Sequence, residues 1–289
     1  MYTVTSLTNS ILQKWTCWLL VVCLCCLNVS VAFAQDDSTI TEEEQNHVVL
    51  ENKTSTPKIY PHLLDTGIFL GATLGYAGIS SVPIQSTRTM ANPQGLDAAL
   101  GPQWDPRWDK PSDFLGDPTS LYGFNLPVLT TVGMITLGAT ESKNTSIEYG
   151  LTMAQSITIT ALLTESIKRM VGRPRPYTSA AFATTYPDVY ASASFQEMLQ
   201  DPDSYKSFPS GHTSNAAATY FTAAGIIAGQ TTNQTTKILS YSTATALTLL
   251  TGWSRIQYGK HHPTDTIMGA GIGTSVALGV VYWHSHRNN

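Results

Sequence analysis

Three short polar segments, set among helical stretches that carry almost no charge, constrain the fold of this 289-residue chain more than any other feature. They are Lys168 with Arg175-Pro176, then Pro209-Ser210-Gly211-His212, then Ser254-Arg255 with His261 and Asp265. Together they supply three cations, two histidines and a carboxylate. Three cations repel unless they share an anion, so the chain is expected to fold with all three segments in one pocket. Each segment alone is ordinary, because a basic turn, a serine helix cap and a histidine loop are common. Their order and spacing carry the information.

Six residues separate Lys168 from Arg175, thirty-two separate Pro176 from Pro209, and forty-one separate His212 from Ser254. His261 follows Arg255 after five residues, and Asp265 lies four beyond His261. A phosphoryl group in transfer spreads negative charge over three equatorial oxygens, and a catalyst surrounds them with fixed cations and N–H donors. Arginine matches two such oxygens with its planar fork, whereas lysine acts as a point charge. In order and spacing the segments resemble the tripartite signature of the type 2 phosphatidic acid phosphatase and vanadium haloperoxidase superfamily. Every position of that signature matches, over Lys168 to Asp265, about a third of the chain.

The resemblance implies that His261 is a nucleophile forming a phosphohistidine, which water then hydrolyses, and that His212 is the general acid for the leaving-group oxygen. Asp265, in a first helical turn, is expected to reach back to one ring nitrogen of His261 and leave the other free. Lys168, Arg175 and Arg255 are the expected phosphate ligands, with Ser210 and Gly211 at a helix N-terminus that seats an anion on its backbone N–H groups. Plainer readings stand beside these: a dipole cap for Lys168, an N-cap for Ser210 and a dipole partner for Asp265. Spacing selects His261 over His262. Glu165 either tunes Lys168 or forms a helix-surface pair. His284 and His286, in a terminal His-Ser-His tail, offer at most a weak surface metal site. The mechanism requires no metal and no cofactor.

At the N-terminus, Lys14 precedes an apolar run from Trp15 to Ala34 that ends in Ala32-Phe33-Ala34, a small-x-small pattern. Residues 1–34 therefore read as a signal peptide, with a retained membrane anchor as the alternative. All four cysteines lie in that segment, so no disulfide is expected in the mature protein. Residues 35–59 read as a flexible acidic leader, and 60–289 as the catalytic domain. The formal net charge is −4, which makes nucleic acid an unsuitable partner.

Helical patterns run over 63–80, 125–140, 147–170, 213–229, 236–252 and 265–284, and strand-like alternation is scarce. The fold class is all-α, a bundle of about six core helices with irregular loop insertions. One insertion, 85–125, is dense in Gly, Pro, Asp and Trp and is either a lid or an irregular connection. The other, Tyr177 to Ser207, lies between two phosphate-binding segments and is the better candidate for shaping specificity. Thr, Ser, Gly and Asn interrupt every helix, and residues 213–219 read as poor material for lipid contact, so a soluble exported bundle is expected, with membrane association as the alternative. Gly269 and Gly273 suit close helix packing in either solvent. The expected activity is metal-independent hydrolysis of phosphomonoesters or lipid phosphates and diphosphates in a bacterial periplasm or envelope. A vanadate-dependent haloperoxidase and a non-catalytic phosphate-binding protein are the alternatives.

Overall fold

The computed structural model describes residues 61–84, 94–99 and 121–287. The proposed signal segment, the leader and most of the first insertion lie outside them. The described residues form helices and contain no β-strand. Helix α1 is Pro61–Ser80, α2 the short Leu96–Ala99, α3 Leu126–Glu141 and α4 Lys143–Val171. Three short helices fill the second insertion, α5 Ala180–Thr185, α6 Pro187–Tyr190 and α7 Ala193–Gln200. The long helices α8 Gly211–Gly229, α9 Gln234–Gln257 and α10 Pro263–Arg287 complete the bundle. Each long helix falls on the stretch expected from the pattern, α3 starting one residue later and the others extending it by up to five residues.

Local chemistry sets the boundaries. Ser142 caps α4 by accepting from the Thr145 N–H at 3.0 Å, and Asn233 caps α9 by accepting from Thr235 N–H at 2.9 Å. Gly172 ends α4 in the left-handed region at φ 56°, where a side chain would be strained, and its N–H closes on the Lys168 carbonyl. That turn directs the chain straight into Arg173 and Arg175.

Helix α8 is the centre of the bundle, packed against α3, α4, α9 and α10. Its Ala216, Ala217 and Ala218 are fully buried, which lets neighbouring backbones approach. The α10 glycines make the closest approach. A Cβ on Gly269 would lie 2.6 Å from the Ser210 carbonyl oxygen, and one on Gly273 would collide with the Ser214 carbonyl oxygen and lie 2.8 Å from the Ala217 Cβ. The expectation of close packing at these two glycines is met. Met134, Tyr149, Met153, Ala223 and Ile226 form one apolar cluster, and Tyr177, Phe182 and Phe195 form another inside the second insertion.

Many of the polar interruptions face inward. Thr213, Ser214 and Thr219 of α8 are buried, as are Ser156, Thr160 and Thr164 of α4. Hydroxyls such as Thr222 Oγ1 return a hydrogen bond to the carbonyl four residues earlier, here at 2.6 Å. Large apolar side chains face outward instead, among them Leu74 at 72 %, Leu129 at 63 % and Leu249 at 65 % exposure. Three helical stretches, Leu63–Ser80, Gly123–Glu141 and Pro263–Arg287, are long and apolar enough to cross a membrane. These outer faces favour membrane association over the soluble bundle expected from the interrupting residues. The buried interruptions do not count against lipid contact, because the bundle interior takes them up.

At the end of α10, His284 is buried, with its Nε2 2.8 Å from Gln155 Oε1. Arg287 donates to Asp65 Oδ1 at 2.7 Å, and Gln155 Nε2 donates to the same oxygen at 3.1 Å. His284 is therefore part of a clamp joining α1, α4 and α10, and the surface metal reading does not suit it. His286 stacks on Tyr282 with ring centroids 3.9 Å apart.

The packing yields a contrast between glycines of one helix. Gly273→Ala is expected to destabilise the protein by about 1–3 kcal/mol, the usual cost of overpacking. Gly271→Ala has nothing within 4 Å of the new methyl group and is expected to leave stability unchanged or slightly raised. Thermal unfolding followed by circular dichroism measures both, and equal midpoints would contradict the close α8–α10 contact.

Candidate active site

The three polar segments meet where α4 and α9 end and α8 and α10 begin. The α8 and α10 starts are tied directly, since the Ser210 N–H donates to the Asp265 carbonyl at 2.9 Å. Lys168, in the last turn of α4, sends its Nζ across to the first residue of α8, 3.1 Å from where a Gly211 Cβ would stand. Its reach goes beyond a dipole cap, and Gly211 leaves the space for it. Arg255 is buried at the end of α9. Its charge, and then those of Lys168 and Arg175, act on the His212 ring. Lys168, Arg175, Ser210, Gly211, His212, Arg255, His261 and Asp265 are thus brought together.

Arg175 is anchored on three sides. Its Nε donates to the Asp203 carbonyl at 2.8 Å, Nη2 to Asp203 Oδ2 at 2.6 Å, and Nη1 to the Lys260 carbonyl at 3.1 Å. The second insertion therefore supplies the counter-charge of Arg175, and its aromatic cluster packs that loop together. Ser210 behaves as the plain reading had it: its Oγ accepts from Thr213 Oγ1 at 2.9 Å and from Thr213 N at 3.4 Å. The N-terminal turn of α8 behind that cap still presents backbone N–H groups.

His261 is buried, with Nδ1 2.7 Å from the Ser207 carbonyl. A carbonyl only accepts, so Nδ1 carries the proton and Nε2 keeps its lone pair. Asp265 stands one step back, its Oδ2 being 3.7 Å from Nδ1, too far for the direct bond expected from the four-residue spacing. Its carboxylate is occupied by other donors: Ser207 Oγ at 2.5 Å, His262 N–H at 2.8 Å and Arg173 Nη1 at 2.5 Å. Ser207 is the intermediary, with its carbonyl on His261 and its hydroxyl on Asp265. His262 points away, its Nε2 3.3 Å from the Pro174 carbonyl.

Burial pushes His261 down to about 3, with Arg175 and Arg255 adding to the effect and Asp265 opposing it. His212 also lies well below its ordinary value, first because of the Arg255 charge and then because of burial. Glu165 pairs with Arg169 at 2.8 Å in a largely buried contact, its charge also acts on Lys168, and Lys206 stays 3.9 Å away from it.

Sequence reasoning missed four contributors. Arg173 and Asp203 stand next to the motifs as charged residues in loops, a signal that was available. Ser207 acts partly through its carbonyl, which no residue type announces. Gly123, in a short π-helical turn at Leu121–Asn125, lies so close to His212 that a Cβ would stand 2.7 Å from its Cδ2.

Comparison with known proteins agrees with this arrangement. A protein of Arabidopsis thaliana described as "Probable lipid phosphate phosphatase 4" is 31% identical over 134 residues, which cover 42% of this chain and 43% of the relative. The match thus spans less than half of that relative. No solved structure matches the chain. The PAP2 superfamily model matches residues 149–289, the part of the chain that holds all three polar segments.

Proposed function

We propose that the protein is a phosphatase that hydrolyses phosphomonoesters or lipid phosphates and diphosphates through a phosphohistidine on His261, with no metal. The observation that carries this reading is the His261–Ser207 contact at 2.7 Å, which frees Nε2 beside three cations. In the first step Nε2 attacks phosphorus, the phosphorus–oxygen bond to the leaving group breaks, and His212 gives that oxygen a proton. Water then attacks the phosphohistidine, His212 takes a proton from it, and phosphate leaves. Lys168, Arg175, Arg255 and the N–H groups at the start of α8 hold the equatorial oxygens.

Charge organises the proton transfer. With its value near 3, His261 is neutral, and so nucleophilic, at any ordinary pH. The Arg255 charge keeps His212 neutral as well, and a phosphate placed between them opposes that repulsion. Substrate binding thus favours protonation of the acid when a leaving group is present to use it.

The apolar outer faces support an integral position in the membrane, with the site at one face. Trp253 and Ile267 are exposed at the site end and Tyr282 and Trp283 at the other. From Ile267 to Trp283 the helix rises about 24 Å at 1.5 Å per residue, close to a hydrocarbon core of about 30 Å with aromatic residues at its edges. A lipid phosphate is accordingly the favoured substrate. The cell envelope, reached through the N-terminal apolar run, is the proposed location.

His261→Ala is expected to abolish turnover and covalent labelling together. His212→Ala is expected to cost about 10²–10⁴-fold on an alkyl phosphate and far less on p-nitrophenyl phosphate, whose phenolate departs unaided. Steady-state rates on the two substrates decide this, and equal losses would reverse the assignment of the two histidines. A second expectation concerns charge stabilisation: activity persists in EDTA and is inhibited by orthovanadate, a mimic of the five-coordinate transition state. Inactivation by EDTA that added magnesium or zinc restores would overturn the metal-free reading.

A further inference from the structure

We propose that Arg173 and Asp97 are positioning residues for the reacting histidine, acting through Asp265 and Ser207. The kinetic consequence rests on the phosphatase reading above, whereas the geometric one does not. Arg173 lies two residues before Arg175 and outside the tripartite signature. Its guanidinium bridges two carboxylates, with Nη1 2.5 Å from Asp265 Oδ1 and Nη2 2.6 Å from Asp97 Oδ2. Nη1 also donates to Thr264 Oγ1 at 2.7 Å. Asp97 in turn accepts from the Thr264 backbone N–H and from Thr264 Oγ1, each at 2.9 Å. A carboxylate that stands 167 residues away in sequence therefore closes the first turn of α10.

These bonds form one chain of contacts. Arg173 fixes Asp265 Oδ1; Asp265 Oδ2 fixes the Ser207 hydroxyl at 2.5 Å; and the Ser207 carbonyl fixes His261 Nδ1 at 2.7 Å. Asp265 has donors on both oxygens and no exposure, and its Oδ1 is held by whatever sets Arg173. Asp97 does that. Its side chain is 9 % exposed, and it takes the second arm of the guanidinium. Removing Asp97 frees Arg173 to swing onto Asp265 alone. Replacing Arg173 leaves two carboxylates facing one another at the start of α10 with no cation between them. Either change loosens Asp265, then Ser207, then the ring. Short helix α2 thus enters the site's architecture without touching substrate.

Asp97 is also a helix cap, so its loss has a merely structural effect as well. The test therefore uses variants that keep the shape. Asp97→Asn retains an oxygen for the Thr264 N–H and loses the charge that holds Arg173. Arg173→Lys retains a charge and loses the fork that spans both carboxylates. For each, kcat on p-nitrophenyl phosphate is expected to fall about 10- to 100-fold, the range for partners one step removed, with KM within about two-fold. The double variant is expected to be no worse than Arg173→Lys alone, because the two act in series. Nitrogen-15 NMR of the histidine rings, assigned with His261→Ala, is expected to show one Nδ1–H tautomer in the wild type and mixed or broadened signals in the variants. Unfolding midpoints by circular dichroism accompany each measurement. Wild-type kcat with an unchanged His261 tautomer in both variants would overturn the proposal, as would losses that multiply independently in the double variant. If the wild type hydrolyses no phosphate ester, the phosphatase reading fails, and the ring tautomers still decide whether Arg173 and Asp97 position His261.

Discussion

The hydrogen bond from Ser210 N–H to the Asp265 carbonyl joins the starts of α8 and α10, and the site exists because that join is possible. Two helix N-termini approach this closely only if one presents no side chain, which Gly269 and then Gly273 provide. The consequence for chemistry is direct. The α8 start carries His212 and the anion-seating N–H groups, and the α10 start follows His261 and contains Asp265. A single backbone contact thus ties the two helix starts that carry the histidines, and on the proposed function the glycines beneath it serve the site through packing.

Gathering Lys168, Arg175 and Arg255 in a buried place costs electrostatic free energy, and the fold offsets it locally. Asp203 takes Arg175 from the side of the second insertion, and the Lys260 carbonyl supports the same guanidinium. Asp265 and Asp97 share Arg173, which keeps a fourth cation off the phosphate-binding face. Arg175 spends three of its N–H donors on Asp203 and the Lys260 carbonyl and keeps two for other partners, while His261 and His212 stay neutral beside the cations.

Much of this was legible in the sequence. Charge-poor helical stretches located the long helices to within five residues at each end, and the three motifs supplied the residues that converge. What was not legible was where directionality enters. Asp265 lies four residues from His261, a spacing that suggests a direct bond, yet the backbone carbonyl of Ser207 takes that bond and the carboxylate serves Ser207. Carbonyls have no signature in residue type. Asp97 was illegible for another reason, because its partner lies 167 residues on and no local pattern marks a cap supplied from such a distance. The membrane alternative gained weight on a matter of facing: composition reports that a helix holds Thr and Ser, whereas only the packed bundle reports that Ser156, Thr160 and Thr164 point inward.

Helix α10 connects the chemical and the environmental halves of the molecule. It begins at the site with Asp265 and ends in the Asp65–Gln155–His284–Arg287 clamp, polar at both ends and apolar along its outer face. From Asp265 to Arg287 it rises about 33 Å, close to the thickness of a bilayer's hydrocarbon core. On the proposed membrane reading, these two polar ends fix the helix in depth, because neither moves into hydrocarbon without losing its partners. The depth of the nucleophile is then fixed with it. A lipid whose phosphate lies at the interface meets Lys168, Arg175 and Arg255 at that same level, so the helix that completes the site also matches it to the height of a headgroup.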